Sequence, residues 1–176
     1  MDHIDNHLPI GAIVHESADA ADEHLQAFIQ YAQEQGKVVL GVTQAPEEVS
    51  FAYRSKMGII NLTNGEYISI AQNLGEHNTS CCLDSEAISN ASVILQKART
   101  QNPDLIIVNR FGKLEAEGEG FADEMLEIMS QGHPMLTVVA TRFLDAWREF
   151  SGGLATELEA DLNHIQHWFN SLPANN

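Results

Sequence analysis

Four short apolar runs alternate with longer segments of helical periodicity, and this alternation constrains the fold more than any other feature. The runs cover residues 9–14, 37–44, 104–109 and 135–140. They are rich in β-branched residues, which favour buried strands. Strands that alternate with helices of about 12 to 18 residues are typical of βαβ units. The sequence therefore predicts an α/β fold with a mainly parallel sheet and helices on both faces.

Segments with apolar residues at helical spacing lie between and after the runs. Gly36 follows the first segment, in the place of a C-cap glycine, and Asp84 precedes the second as an N-cap. Residues 45–57 are polar and irregular and are predicted to form a loop. The predicted helices cover residues 18–35, 85–100, 119–131 and 154–169.

A β-hairpin is predicted around Asn64-Gly65, because Asn-Gly between two strand-like runs is a strong signal for a two-residue turn. The hairpin adds antiparallel character and brings the sheet to about five to six strands. No internal repeat or linker divides the chain. Residues 1–176 are therefore predicted to form a single domain, since this length can bury a sizeable core.

The net charge of −16 argues against some classes of binding partner. Nucleic acid and anionic membrane surfaces repel such a chain, so no nucleic-acid partner is expected. No apolar run reaches the roughly 18 residues of a membrane span, and the N-terminus lacks the pattern of a signal peptide. The adjacent Cys81 and Cys82 form no disulfide framework. We expect a cytoplasmic protein without membrane insertion, and a homodimer or a protein partner stays open.

A ligand site is expected beyond the carboxyl ends of the parallel strands. These ends lie at His15–Ser17, Thr43-Gln44, Asn109–Glu117 and Thr141-Arg142. Of nine basic residues, five lie in loops at or near this edge: Arg54, Lys56, Arg110, Lys113 and Arg142. In so acidic a chain this clustering predicts a small anionic ligand. The alternative is that exposed loops simply collect charged residues.

The first predicted turn, "VHESADAADEH", has no glycine and no lysine and carries Glu16, Asp19, Asp22 and Glu23. A phosphate loop needs glycines for its backbone N–H groups and a lysine for charge. Ordinary nucleoside-triphosphate hydrolysis is therefore not expected at this turn. The acidic residues could hold a hydrated cation, or they could simply suit the start of a helix.

Three other residues could carry chemistry. If their loop is extended, Glu115 and Glu117 face one side and could bind a cation or act as a base; the alternative is that they face water. Cys81 lies three residues before Asp84, where a helix N-terminus stabilises a thiolate, or it is a small buried hydrophobe. Neither a metal nor a cofactor is identified by the spacing of potential ligands.

The stretches "GVTQAPEEVSFAYRSKMGIINLTNGEYISIA" and "LIIVNRFGKLEAEGEGF" resemble segments of the P-loop nucleoside-triphosphatases. In that class a strand ends in an Asp-Glu pair that binds magnesium and activates water, and Asn109 and Arg110 stand there in this sequence. Gly112, Lys113 and Glu115 match the glycine, lysine and glutamate that follow, and the region of Arg54 corresponds to an arginine-bearing loop. The resemblance implies a Rossmann-like three-layer scaffold with a degenerate phosphate loop.

Residues 13–158 also resemble a bacterial domain family of unknown function that is associated with molybdenum-transport genes. The shared features are "ISIAQNLG", a Cys-x-Leu-Asp step at Cys81–Asp84, "VNRFGKLEAEGEGF" and "AWREFSGG". This resemblance implies a link to the handling of molybdenum or other oxyanions.

Three hypotheses follow. In the first, a non-hydrolytic accessory or regulatory protein holds a small anion or nucleotide between Arg110, Lys113 and Arg142, and Asn109 orients it. In the second, the chain is a divergent phosphohydrolase-like enzyme in which Glu115 or Glu117 is a metal ligand or base. In the third, it is an interaction module whose acidic surface binds a basic partner.

Overall fold

The computed structural model describes residues 7–54, 57–71 and 84–173. Its strands are β1 (Ile10–His15), β2 (Val39–Gln44), β3 (Gly58–Asn61), β4 (Tyr67–Ser69), β5 (Leu105–Ile107), β6 (Met135–Ala140) and β7 (Thr156–Glu159). Its α-helices are α1 (Ala18–Glu34), α2 (Glu47–Ala52), α3 (Ser85–Thr100), α4 (Lys113–Ala116), α5 (Ala122–Ser130), α6 (Leu144–Phe150) and α7 (Leu162–Asn170). A 3₁₀ turn, Thr141–Phe143, joins β6 to α6.

The strands form one sheet in the order β4-β3-β2-β5-β6-β1-β7. Strands β2, β5, β6, β1 and β7 are parallel, and β3 and β4 form the antiparallel hairpin predicted around Asn64-Gly65. The register pairs His15 with Ala140 at the carboxyl ends of β1 and β6. The carboxyl ends of β2, β5, β6 and β1 consequently lie side by side along one edge.

Two apolar layers cover the faces of the sheet. On one face Phe111 packs edge-on against Trp147 of α6, with ring centroids 5.2 Å apart. On the other face Phe28 of α1 packs against Phe169 of α7, at 5.4 Å. Gly11 lets α7 approach the sheet, because a Cβ there would lie 2.9 Å from the Trp168 ring. The mainly parallel α/β fold with helices on both faces is confirmed.

The predicted helix over residues 154–169 is wrong in its first half. Residues 156–159 form β7, which pairs in parallel with β1, and α7 begins only at Leu162. Leu158 is buried while Glu157 and Glu159 face outward, so the segment has the period of two that a half-buried strand shows. The sheet therefore has a seventh strand beyond the five to six predicted.

Two further boundaries differ from the sequence prediction. The loop predicted over residues 45–57 contains α2, which Pro46 precedes at the N-cap position. The helix predicted over residues 119–131 begins at Ala122, since Gly120 with φ of +60° belongs to the preceding turn. Within the described residues, no helix combines the length and the apolar character needed to cross a membrane.

Candidate functional site

Polar side chains meet where β2 and β5 end. Asn109 follows β5 and is only 5% exposed, and its amide nitrogen donates to Gln44 Oε1 at 3.1 Å. The carbonyl Oδ1 of Asn109 is buried and has no hydrogen-bond partner among the described residues. An unpaired buried acceptor costs free energy of about 1 to 3 kcal/mol. The hydrogen bond between Asn109 and Gln44 therefore leaves the Asn109 carbonyl oxygen without a donor, at the edge where a ligand is expected.

Arg110 turns from β5 toward α1. Its Nη2 lies 3.7 Å from Oδ2 of Asp22, in the second turn of that helix, and both side chains are about one-third exposed. Its Nε is buried and unpaired within the described part of the chain. The Nη2–Oδ2 distance exceeds the roughly 2.7 to 2.9 Å of a charge-assisted hydrogen bond. Arg110 and Asp22 therefore keep the capacity to form hydrogen bonds with other groups.

His15, at the end of β1, lies near two arginines. Burial, together with the charges of Arg110 and Arg142, lowers the pKa of His15 below its usual value. Both guanidinium groups therefore act on the same point at the sheet edge. Thr141 fixes the neighbouring strand end, because its hydroxyl donates to the backbone oxygen of His15 at 3.1 Å. Arg142 is exposed, and its guanidinium carbon lies 4.9 Å from the centre of the Phe143 ring.

The connection between β1 and α1 is very short. Only Glu16 and Ser17 separate His15 from Ala18, the first residue of the helix. Two residues without a glycine or a lysine cannot wrap their N–H groups around a phosphate. Ser17 occupies the N-cap position without a side-chain capping bond.

Glu115 has a different environment from the one predicted. It is 8% exposed, accepts from the Gly112 N–H at 3.1 Å and accepts from the Phe121 N–H at 3.3 Å. Burial raises its pKa, against the opposing effects of these hydrogen bonds and of the Arg110 charge. Glu117 is exposed at the C-cap of α4. The loop is not extended, because the segment winds into a helical turn around the Glu115 carboxylate, and the two glutamates therefore do not share one face.

Two of the other predicted site residues, Lys113 and Arg54, are exposed. Lys113 is exposed at the first position of α4. Arg54 is exposed after α2, beside the hairpin, with φ of +54°. Cys81 and Lys56 lie outside the described residues. Over the described ranges, no group of three or more His, Cys, Asp or Glu side chains is arranged to hold a metal ion.

Sequence reasoning left Asp22 and His15 out of the predicted ligand set. The sequence placed His15 at the end of the first predicted strand, on the ligand edge, but no binding role was assigned to it. Asp22 lies four residues after Ala18, so one helical turn separates it from the start of α1. A residue one turn into the helix that follows the first strand can face the ligand edge, and this spacing was the available signal.

Comparison with known proteins agrees with this architecture. Residues 10–168 match a family described as "Protein of unknown function (DUF2478)". The chain is 34% identical over 160 residues to the molybdenum import ATP-binding protein ModC 2 of Bradyrhizobium diazoefficiens, a match that covers 91% of this chain and 18% of that protein. The chain thus spans less than a fifth of this relative's length.

A solved structure shares the fold. The crystal structure of THEP1 from the hyperthermophile Aquifex aeolicus superposes with a TM-score of 0.60 at 16% identity, covering 92% of this chain and 93% of that one. The fold is that of the P-loop nucleoside-triphosphatases.

Proposed function

Because the chain belongs to the DUF2478 family, whose function is unknown, we propose a function from its own site: it is a non-hydrolytic, small-anion- or nucleotide-binding accessory protein. Arg110, Lys113 and Arg142 supply positive charge, and Asn109 with Gln44 orients the ligand. Arg54 extends the site toward the hairpin. The anion lies beyond the carboxyl ends of β1, β5 and β6, the usual ligand position in a parallel sheet.

One observation carries this proposal. In a chain of net charge −16, the charges of Arg110 and Arg142 converge on His15 at the ligand edge. Arg110 also keeps a buried Nε–H donor without a partner among the described residues, a group that an anion could accept from.

The short β1–α1 connection supports binding without hydrolysis. It has no glycine-rich loop, and Asn109 and Arg110 occupy the strand end where the resembling class places its two carboxylates. An amide and a guanidinium cannot activate water as a carboxylate base does. We therefore infer a nucleotide- or oxyanion-binding role without turnover, in the cytoplasm.

The name of the similar protein suggests the process in which this chain takes part. That protein is a molybdenum import ATP-binding protein, and the present chain matches 18% of its length. We infer that domains of this kind assist molybdenum or oxyanion handling, in an accessory or regulatory role.

Thermal-shift measurements test the proposal. Phosphate, sulfate, molybdate, tungstate and nucleotides are added to the wild-type chain, and a ligand at about 100 times its Kd adds about 2.7 kcal/mol to the free energy of unfolding. That gain raises the Tm by about 5 to 10 °C for a chain of this size. Arg110→Ala and Lys113→Ala should reduce the shift.

The control is Lys37→Ala, an exposed lysine just before β2, at the opposite end of that strand. Its shift should equal that of the wild type. The proposed site is wrong if no anion stabilises the chain, or if the three variants respond alike. Magnesium-dependent release of phosphate from a nucleotide would instead support the phosphohydrolase-like alternative.

A protein-interaction role is a second candidate, favoured by one surface. Phe51 at 82% and Tyr53 at 63% exposure lie at the end of α2, beside the hairpin. Tyr53 stacks on Tyr67, with centroids 4.3 Å apart, which holds its ring in place. Exposed aromatic groups of this kind are typical of protein contacts. Partner capture that Phe51→Ser abolishes, without any anion-induced shift, would support this role.

A further inference from the structure

A carboxylate lies inside the proposed anion site. Asp22 projects from α1 to within 3.7 Å of the Arg110 guanidinium, and no hydrogen bond joins the two side chains. A half-buried carboxylate keeps its lone pairs available to accept from another donor. An anion that binds Arg110 must therefore lie next to a negatively charged oxygen.

The neighbouring charged groups do not offset the negative charge of Asp22 beside Arg110. Asp19 on the same helix and Glu115 from α4 add carboxylates, while Arg110 and Arg142 supply the positive charge. His15 stays mostly neutral near pH 7, because its pKa is lowered. Burial, more than the charge of Asp19, raises the pKa of Asp22, against the opposing effect of Arg110. The Asp22 carboxylate, 3.7 Å from the Arg110 guanidinium, can accept a proton that a ligand of Arg110 carries.

The consequence follows from the chemistry of tetrahedral oxyanions. Near neutral pH, sulfate and molybdate are fully ionised and have no O–H to donate. Hydrogen phosphate has the same shape and about the same charge but keeps one O–H, which can donate to a carboxylate. A fully ionised oxyanion meets only repulsion at the same oxygen.

We propose that Asp22 makes the site selective for oxyanions that carry a proton, so that its ligand is hydrogen phosphate or a phosphate group that retains a P–OH. Sulfate and molybdate bind weakly for lack of that proton. This inference rests on the proposed anion site and names its ligand class. The link to molybdenum transport then concerns the protein that this domain assists, and not the ligand of this pocket.

Isothermal titration at about pH 8 compares phosphate with sulfate and molybdate, since hydrogen phosphate and sulfate then have the same charge and differ mainly by one O–H donor. A hydrogen bond to a charged group contributes about 1.5 to 3 kcal/mol, so phosphate should bind the wild-type chain at least about tenfold more tightly than sulfate or molybdate. Asp22→Asn removes the carboxylate and keeps the shape of the side chain. This variant should bind sulfate and molybdate more tightly, and the preference for phosphate should fall to about threefold or less.

The matched control is Glu127→Gln, which also converts a carboxylate in an arginine ion pair to an amide, with Arg99 on α3. It should keep the wild-type selectivity. Equal binding of phosphate and sulfate by the wild type, or an unchanged preference in Asp22→Asn, overturns the selectivity. If both anions bind equally and Arg110→Ala weakens both, the anion site stands and only the role of Asp22 fails. If neither anion binds the wild type or Asp22→Asn, the proposed function fails with it.

Discussion

At the scale of single residues, Glu115 explains the segment "FGKLEAEGEGF". Its carboxylate accepts from the N–H of Gly112 before α4 and from the N–H of Phe121 before α5, so one side chain ties together both ends of the segment. Gly120 makes room for it, because a Cβ there would lie 2.6 Å from Glu115 Oε1. The glutamate therefore holds the loop that carries Lys113, with both of its carboxylate oxygens accepting from backbone N–H groups.

Glu115→Gln is expected to destabilise the fold by about 1 to 3 kcal/mol, because the amide nitrogen of glutamine then faces a backbone N–H that has lost its acceptor. The measurement is the free energy of unfolding in urea. Glu117→Gln is the control, since this glutamate is exposed two residues further on, and it should change stability by less than about 0.5 kcal/mol. Equal effects of the two substitutions would contradict the role given to Glu115.

At the scale of elements, the C-terminal strand and helix depend on a cap. The side chain of Asp161 accepts from the N–H of Asn163 at 2.7 Å and from that of His164 at 3.4 Å, which starts α7 directly after β7. His164 Nδ1 accepts in turn from the Glu159 N–H at 2.9 Å. These bonds set the turn that lets Trp168 and Phe169 pack on the sheet.

Asp161→Ala should cost about 0.5 to 2 kcal/mol of stability, since the first-turn N–H groups of α7 lose their acceptor. Asp161→Asn keeps an acceptor oxygen and should lower the stability by only a few tenths of a kcal/mol, roughly. Thermal unfolding followed by circular dichroism compares the two variants with the wild type. A loss in Asp161→Asn as large as that in Asp161→Ala would show that charge, and not capping, is what Asp161 contributes.

At the scale of the whole molecule, excess negative charge opposes the compact state. The chain carries 25 acidic against 9 basic residues. Its ion pairs are few in the described part, and the bidentate pair between Arg148 and Glu157 lies on the surface. Like charges at this density repel one another over several ångströms.

The Tm at about pH 7.5 should therefore rise as sodium chloride increases from about 0.01 to 0.15 M, because the Debye length falls from about 30 to 8 Å. Near the sequence pI of about 4.6 the net charge is close to zero, and the salt effect should disappear. Scanning calorimetry at the two pH values gives the comparison. A Tm that falls with salt at about pH 7.5 would mean that attractive pairs outweigh the net repulsion.

The sequence by itself determined six of the seven strands and the four longest helices. Apolar runs such as residues 135–140, with capped helical segments between them, specify βαβ units through short-range physics: side-chain period, capping and turn preference. The hairpin at Asn64-Gly65 was predictable for the same reason.

Only the tertiary structure decided β7 and the contacts of the site. Thr156–Glu159 is a strand because β1 offers it a parallel partner, and such pairing depends on residues far away in the chain. Strand order likewise brings Asn109 to Gln44, and Arg110 to Asp22 and His15. Burial then set the role of Glu115, because whether a carboxylate faces water or backbone N–H groups depends on how its loop closes, which local sequence does not encode.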